Sequence, residues 1–197
     1  MNNQIVMATG NNHKTLEIQS YLGGAWVVKS LKDFGFHSGW EETGLTFEEN
    51  ALIKAQFVAK QTDLAILADD SGLEVLALSG KPGVYSARFA GENATDEDNM
   101  AKMIADLSAL GLRESPAQFR CVLVFLDESR RIHTFSGCCE GKIICQKRGA
   151  DGFGYDPMFI PAGFNVTFAE MSQDEKNKIS HRANALKQFS EFLKKRD

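Results

Sequence analysis

The chain lacks the features that would place it in a membrane, outside the cell or on nucleic acid. No stretch approaches the ~20 consecutive apolar residues of a membrane-spanning helix. The first residues, "MNNQIVMATGNNHK", have no basic segment followed by a long apolar run, so we expect no secretion signal. The net charge of −4 argues against general nucleic-acid binding, which usually needs a basic surface. We therefore expect a cytoplasmic protein whose partners are small molecules.

Cysteine is scarce, and none of the four residues belongs to a C-x-x-C pair of the kind that binds structural zinc. Without a secretion signal, we expect reduced thiols with no catalytic role. The sequence also has no repeat, low-complexity tract or linker, so we predict a single domain over residues 1–197.

Alternating helical and strand patterns predict an α/β fold with a mixed sheet. Thr46 with Glu49, Thr95 and Ser180 are expected to cap helices, and Gly111 to end one. The predicted helices are 14–22, 46–61, 95–111 and 180–195, with Met100, Met103, Ile104, Leu107 and Leu110 as the apolar stripe of the third and Ala183, Leu186, Phe189 and Leu193 as the buried face of the fourth. The predicted strands are 4–8, 64–68, 73–78 and 118–126, with one or two more over 132–146 in an antiparallel meander.

The stretch "ATGNNHK" at 8–14 lies between a predicted strand and a predicted helix. Backbone N–H groups at a helix start attract anions, Gly10 permits close approach of a phosphate, and Lys14 adds a positive charge. The spacing is not that of a Walker A loop. A polar turn with a surface lysine is the alternative.

Two further segments are rich in carboxylates. In "EETGLTFEENALIKA" at 41–55, Glu42 could be a hard ligand for Mg²⁺, and Lys54 lies on the following helix. The alternative is a solvated acidic loop with a surface lysine. In "ADDSG" at 68–72, Asp69 and Asp70 follow an apolar run, where they could hold a metal or accept a proton, or only form a turn.

The fourth candidate is "GFGYDP" at 152–157 with "EKNKISHR" at 175–182. Phe153 could stack on a nucleobase, and Lys176, His181 and Arg182 could donate to a phosphate or a base carbonyl. Core packing and a solvated helix start are the alternatives. Taken together, the four segments supply the parts of a metal-dependent nucleotide hydrolase.

The sequence resembles the inosine/xanthosine triphosphate pyrophosphatases, also called the HAM1-like family of non-canonical purine nucleotide hydrolases. The resemblance runs nearly from end to end and keeps the order of the motifs. The segments that carry it are "ATGNNHKTLE" (8–17), "EETGLTFEENALIKA" (41–55), "LADDSGLEV" (67–75), "GKPGVYSARFAG" (80–91), "GFGYDP" (152–157) and "ISHRANAL" (179–186).

The resemblance implies hydrolysis of ITP, dITP and XTP to the monophosphate and pyrophosphate, which cleanses the nucleotide pool. It implies dependence on Mg²⁺ and a homodimer. It also implies an elongated mixed sheet flanked by helices in two lobes, with the active site in a central cleft.

The resemblance further assigns roles to individual residues. Asp70 would be the proton acceptor and, with Glu42, a Mg²⁺ ligand, and Asp69 would lie close by. The triphosphate would be bound by Thr9, Gly10, Asn11, Asn12, His13 and Lys14, where His13 replaces a glycine found in many members. The other substrate contacts would be Lys54, Ser71, Arg88 and Lys176, then Phe153 stacked on the base with Gly154, Tyr155 and Asp156 in the same loop, and His181 and Arg182 at the base edge.

An aspartate with an ordinary pKa of about 3.9 is ionised at neutral pH, so Asp70 is expected to be ready as a base. Two other functions stay open at this point: a non-catalytic purine nucleotide-binding module, and a phosphatase with an aspartyl nucleophile. The preference among ITP, dITP and XTP, the exclusion of GTP, the dimer surface and the division of labour between Asp69 and Asp70 are not predicted.

Overall fold

The structure, a computed structural model, describes residues 3–36 and 38–196, apart from the side chains of Asn12 and His13. Within those residues the strands are β1 (Gln4–Ala8), β2 (Val27–Ser30), β3 (Ala65–Val75), β4 (Glu114–Leu126), β5 (Ile132–Ile144) and β6 (Phe159–Pro161). The α-helices are α1 (Asn12–Leu22), α2 (Phe47–Ala59), α3 (Asp96–Ala109), α4 (Gln173–Ile179) and α5 (His181–Lys194).

The strands form one sheet in the order β2-β1-β3-β4-β5-β6. β1 pairs in parallel with β2 and β3, whereas β5 pairs antiparallel with β6. β4 and β5 are neighbours joined only by residues 127–131, too few for the crossover that parallel strands need, so this pair is antiparallel. The prediction of an α/β fold with a mixed sheet is confirmed.

The described residues cluster into two compact units. Unit 1 contains the chain up to Asp70, Cys121–Ser136 and the residues from Ala185 onward. Unit 2 contains Ser71–Arg120 and Gly137–Asn184. Each unit has its own apolar core. That of unit 1 includes Ile5, Met7, Leu67, Phe125 and Phe189, and that of unit 2 includes Leu73, Met103, Leu107, Phe159 and Phe168.

The helix ends follow the sequence closely. Reciprocal hydrogen bonds at the helix start join Thr46 to Glu49 and Thr95 to Asp98, and the Ser180 hydroxyl accepts from the Ala183 N–H. The predicted buried face of α5 is buried throughout. In α3 the stripe holds as far as Leu107. The assignment of Leu110 to it is wrong, because Leu110 follows the last helical residue and is 54% exposed.

The largest correction concerns β3. The sequence predicted two strands separated at "DDSG", with a turn as one alternative. Instead one strand runs unbroken from Ala65 to Val75, and the residues after it, Leu76–Leu78, form a 3₁₀ turn. β3 lies inside the sheet between β1 and β4, so pairing with neighbours outweighs the low strand propensity of Asp, Ser and Gly. Asp69 and Asp70 therefore belong to an interior strand of the sheet, and the turn interpretation is wrong.

Two smaller points complete the fold. Among the described residues, no helix combines the length and the apolar character needed to cross a bilayer. All four cysteines, Cys121, Cys138, Cys139 and Cys145, are free thiols.

Candidate active site

Unit 1 places five of the predicted residues in two neighbouring groups of ion pairs, which adjoin at Asp69 and Asp70. The Lys54 ammonium lies 2.8 Å from Asp70 Oδ1 and 2.9 Å from Glu42 Oε1. The Lys14 ammonium lies 2.7 Å from Asp69 Oδ2, whose side chain is fully buried. We call these residues the carboxylate cluster. The alternative interpretation of Lys54 as a surface lysine is wrong, since its side chain is only 6% exposed, whereas Lys14 is partly buried with a side chain 18% exposed.

Secondary structure holds the carboxylate cluster in place. Asp69 and Asp70 are adjacent on β3, and Lys54 projects from α2. The start of α2 is fixed because the Glu49 carboxylate accepts from the N–H groups of Leu45 and Thr46. These bonds define the first turn of α2, and they thereby set which face of the helix carries Lys54.

Asn50 was missed by the sequence reasoning, although it touches the carboxylate cluster. It lies one turn before Lys54 on the buried face of α2 and has no solvent exposure. Its side-chain Nδ2 donates to Asp70 Oδ2 over 3.4 Å, and its Oδ1 accepts from the Gly44 N–H over 2.8 Å. The available signal was an amide on a helix face whose other buried residues, apart from Lys54, are apolar, because buried polar side chains need partners.

The charges in the cluster shift two pKa values. Burial raises the pKa of Asp70 above its ordinary value; Lys54 opposes this rise, while Glu42 and Asp69 add to it. For Lys54, burial alone would lower the pKa, but Asp70, Asp69 and Glu42 together raise it. Lys54 is therefore held in its charged form. The expectation of an ordinary pKa for Asp70 is wrong, because a buried carboxylate loses hydration that one lysine does not fully replace.

The donor set of the cluster suits Mg²⁺. Glu42 and Asp70 direct oxygens at the same cationic atom, Lys54 Nζ, so both carboxylates already converge on a point of positive charge. Mg²⁺ prefers such oxygens and is commonly held by one or two carboxylates together with substrate phosphates. Among the described residues, no group of three or more His, Cys, Asp or Glu side chains is arranged as a complete metal site. Two carboxylates that converge on one cationic atom are compatible with a Mg²⁺ ion in chemical type, and they do not form a complete site by themselves.

The predicted phosphate loop precedes α1 in the same unit. Thr9 Oγ1 accepts from the Asn11 N–H, which tightens the turn into the helix. A Cβ atom placed on Gly10 would meet nothing within 4 Å, so the space beside this backbone is open. The side chains of Asn12 and His13 lie outside the described residues, and the prediction for them stays a prediction.

Unit 2 contains a second buried lysine–aspartate pair. Lys176 Nζ lies 2.5 Å from Asp156 Oδ2, and the same oxygen accepts from the Phe153 N–H over 2.9 Å. The ammonium also lies over the rings of Phe153 and Phe168, 5.0 and 5.3 Å from their centroids. Phe153 is 49% exposed, whereas Phe168 is buried. We call these four residues, Phe153, Asp156, Phe168 and Lys176, the aromatic–lysine cluster. Its one accessible ring, that of Phe153, lies against a buried ion pair.

The loop that carries Phe153 is braced from inside. Gly152 has a φ of +83°, and a Cβ there would come within 2.2 Å of Asp156 Oδ2, so only glycine fits. The Gly154 N–H donates to Asp96 Oδ2. The Tyr155 hydroxyl donates to the Ser86 carbonyl, and burial raises the pKa of Tyr155 well above its usual range. Tyr155 and Asp156 therefore support the loop from within.

Ser86 is a second residue that the sequence reasoning missed. Its hydroxyl accepts from the Leu73 N–H and donates to the Gly83 carbonyl. It thereby connects the "GKPGVYSARFAG" segment to the end of β3. The signal was its position inside a motif of which only Arg88 had an assigned role.

The remaining predicted residues of unit 2 occupy two places. Arg182 is buried and donates through Nη2 to Ser71 Oγ over 3.4 Å, and the neighbouring His181 is buried with its ring stacked on Phe119, 4.9 Å between centroids. Arg88 lies over the Tyr85 ring and 3.7 Å from the Glu92 carboxylate. Ser71 follows Asp70 directly in the sequence, so β3 carries both the carboxylates and the partner of Arg182.

A groove of about 680 Å³ in unit 2 contains none of the predicted site residues. Two of its cations, Lys142 and Arg148, are paired with Glu114 and Glu170. Its walls offer no group of the carboxylate or aromatic–lysine clusters, so we do not assign the active site to it.

Comparison with known proteins defines the class. The model of the Ham1 family matches residues 5–192. A dITP/XTP pyrophosphatase from Bacillus subtilis is 46% identical over 191 residues, covering 96% of each chain, and one from Thermoanaerobacter pseudethanolicus is 45% identical, covering 98% of each.

Solved structures agree with the sequence comparison. A HAM1 protein from Coxiella burnetii superposes with a TM-score of 0.90 at 42% identity and 98% coverage of both chains. The Staphylococcus aureus Ham1 protein gives a TM-score of 0.89 at 39% identity, covering 98% of this chain and all of its own. The chain belongs to the Ham1 family, and the resemblance stated from its motifs is confirmed.

Proposed function

We propose that this chain hydrolyses dITP, ITP and XTP to the nucleoside monophosphate and pyrophosphate. The observation that carries the proposal is the carboxylate cluster, in which a buried aspartate of raised pKa contacts a buried lysine. The names of the relatives from Bacillus subtilis and Thermoanaerobacter pseudethanolicus, dITP/XTP pyrophosphatase, support the substrate class.

Asp70 is the proposed base. It accepts a proton from the water that attacks the α-phosphorus, while the bond from this phosphorus to the bridging oxygen breaks and pyrophosphate leaves. A general base works best when its pKa lies near the working pH, and burial raises the pKa of Asp70 in that direction. Asp69, paired with Lys14, contributes negative charge that adds to the rise.

Lys14 and Lys54 are the proposed phosphate contacts, together with Thr9, Gly10 and Asn11 before α1. Both ammonium groups are held by carboxylates, so a triphosphate exchanges one set of negative partners for another without desolvating the lysines anew. We propose that Glu42 and Asp70 hold Mg²⁺, with Asp69 beside them, and that the bound ion supplies charge that neutralises the phosphate oxygens.

The aromatic–lysine cluster and Arg182 are the proposed base-recognition elements. The exposed ring of Phe153 offers a stacking surface worth about 1–3 kcal/mol per base. Hypoxanthine and xanthine carry a 6-oxo group that accepts hydrogen bonds, whereas adenine carries a donor there. Donors such as Arg182 and His181 therefore favour the 6-oxo purines, and a buried donor–donor mismatch costs about 1–3 kcal/mol.

A nucleotide panel tests the proposal. Purified protein with Mg²⁺ should convert ITP, dITP and XTP to monophosphate and pyrophosphate much faster than it converts ATP, with the products identified by chromatography. Equal rates on ATP and ITP would contradict the selectivity, and orthophosphate as first product would indicate phosphatase chemistry. Binding of ITP without any product would instead favour a non-catalytic nucleotide-binding module.

Three further expectations belong to this proposal: Mg²⁺ as cofactor, a homodimer and a cytoplasmic location. Omission of Mg²⁺ in the presence of a chelator should stop turnover, and its return should restore it. Analytical ultracentrifugation of the full chain should give twice the chain mass for the homodimer.

A further inference from the structure

Asn50 connects two segments of the carboxylate cluster. Its Oδ1 accepts from the backbone of Gly44, two residues after Glu42, and its Nδ2 reaches Asp70 on β3. The Gly44 contact fixes the orientation of the amide, because only the oxygen can accept from an N–H. The donating nitrogen therefore faces Asp70.

The position is poorly suited to an asparagine on other grounds. Phe47, Ala51, Ala55 and Val58 are buried on α2 with Asn50. Asparagine is a weak helix former and its buried amide needs hydrogen bonds, so an apolar residue would serve packing better. The two hydrogen bonds offset this cost; one ends on Asp70 of the carboxylate cluster and the other on the Gly44 backbone, two residues after Glu42.

The approach of the loop to Asn50 is close. A Cβ at Gly44 would lie 2.7 Å from the side-chain Oδ1 of Asn50 and 2.9 Å from its backbone nitrogen. The backbone that follows Glu42 is thus pressed against the amide. On the other side, Asp70 uses Oδ1 for Lys54 and Oδ2 for Asn50, which fixes the plane of its carboxylate.

We propose that Asn50 is a positioning residue that sets the Asp70 carboxylate and the Glu42 loop relative to each other for the reaction. The inference rests on the proposed function, since it assigns Asn50 to the geometry of its base. It predicts that the donor toward Asp70 matters for turnover beyond its effect on folding.

Asn50→Asp is the sharpest test, because it keeps the size and the acceptor for Gly44 but replaces the donor by an oxygen facing Asp70. We expect kcat for ITP to fall about 10- to 100-fold, as for other small displacements of a reacting group, with KM within threefold of the wild type. Gln19→Glu is the matched control. This residue of unit 1 hydrogen-bonds to the backbone of Gly23, Trp26 and Val28, none of which belongs to the carboxylate cluster, and kcat should not change.

A readout without turnover comes from thermal unfolding in the absence of Mg²⁺. Asn50→Asp should lower Tm by placing two carboxylates in contact. In Asn50→Asp/Asp70→Asn the donor and acceptor are exchanged, so most of the lost Tm should return although activity stays absent. Additive Tm changes in this cycle would contradict a direct contact between the two side chains.

The outcomes separate the inference from the function on which it rests. If the wild type releases no pyrophosphate from any triphosphate, the proposed function is wrong. If the wild type is active and Asn50→Asp retains its kcat within twofold, the positioning role is wrong and the proposed function stands. Should Asn50→Asp not fold, Asn50→Ser provides a smaller change whose kcat is expected to lie between wild type and the values above; an unchanged kcat would again overturn the inference.

Discussion

Each unit of the molecule buries one lysine–aspartate pair, and the two pairs have different surroundings. Around Lys54 and Asp70 stand further carboxylates, and the pKa of both partners is raised. Around Lys176 and Asp156 stand aromatic rings and a backbone N–H group that donates to the aspartate. Burial is similar, so the difference lies in the neighbours.

The first pair contains the proposed base, whereas the second pair holds a loop in place. The pKa of Asp70 is raised chiefly by burial, with Glu42 and Asp69 adding to the rise and Lys54 opposing it. Asp156 accepts hydrogen bonds from the Phe153 N–H and the Lys176 ammonium, and it thereby fixes the loop that carries Phe153. A buried residue whose pKa is shifted by its surroundings is a candidate for chemistry, whereas a buried residue whose hydrogen-bonding atoms all have partners stabilises the structure around it.

The largest expected effect is that of Asp70→Asn on turnover. Removal of the proposed base should lower kcat for ITP by about 10³-fold while nucleotide binding persists. Asp156→Asn, the matched substitution in unit 2, should leave a larger share of kcat and should raise KM, because it releases the Phe153 loop and Lys176. Pyrophosphate release and equilibrium binding of ITP measure both quantities. Similar kcat losses in the two variants would contradict the assignment of different roles to Asp70 and Asp156.

The same two variants should differ in stability in the opposite order. The pKa of Asp70 is raised by burial, so the folded state favours the proton, and the contribution of Asp70 to the free energy of unfolding falls as pH rises from about 3.9 through the folded pKa. At pH 7 Asp70→Asn should lose less free energy of unfolding than Asp156→Asn, because Lys54 keeps Glu42 as a partner and the raised pKa of Asp70 has already reduced its contribution. Asp156→Asn should lose about 3 kcal/mol, since it breaks a buried pair. Chemical denaturation at pH 7 and pH 4 checks both signs.

Lysine removal gives the next largest effect. Both Lys54→Met and Lys176→Met break a buried pair and should lose about 3 kcal/mol of unfolding free energy without Mg²⁺. Lys54→Met leaves Asp70 and Glu42 without their shared ammonium, so added Mg²⁺ should restore part of its Tm. Lys176→Met leaves only Asp156, which keeps the Phe153 N–H, and Mg²⁺ should not help it. Equal rescue of both variants would argue against a metal preference of the carboxylate cluster.

The features that the sequence predicted correctly are local or belong to motifs. The caps at Thr46 and Thr95 depend on residues three positions apart, and the buried face of α5 follows helical spacing. The members of the carboxylate cluster were named from motifs, although the resemblance supplied their roles. Their pairing with lysines was not predicted, because ion-pair partners come from separate elements.

What the sequence did not predict depends on distant partners. The amide of Asn50 bonds Asp70 twenty residues away, and the Ser86 hydroxyl bonds Leu73 thirteen away, so no local pattern marks either residue. The continuity of β3 arises from neighbouring strands and overrides the turn propensity of "DDSG". The burial of the Asp156 side chain likewise depends on its ion pair with Lys176, which lies on α4.

A smaller effect concerns the rings beside Lys176. Phe153→Ala should raise KM for ITP about tenfold through lost stacking, with little change in Tm, because the ring is half exposed. Phe168→Leu, at the buried ring of the same lysine, should lower Tm slightly and leave KM unchanged. A KM effect at Phe168 without one at Phe153 would mean that the cluster supports the core and does not bind the base.

The smallest expected effect distinguishes two glycines, one in each region. Gly10 lacks a positive φ and a Cβ there meets nothing, so Gly10→Ala should be neutral or raise the free energy of unfolding by about 0.5 kcal/mol. If phosphate approaches this backbone, the added methyl group should nevertheless raise KM for ITP. Gly152→Ala should instead lower Tm, because its Cβ would collide with Asp156. An unchanged KM in Gly10→Ala would show that the open space beside the loop is not occupied by substrate, and would leave Lys14 as the phosphate contact on this side of unit 1.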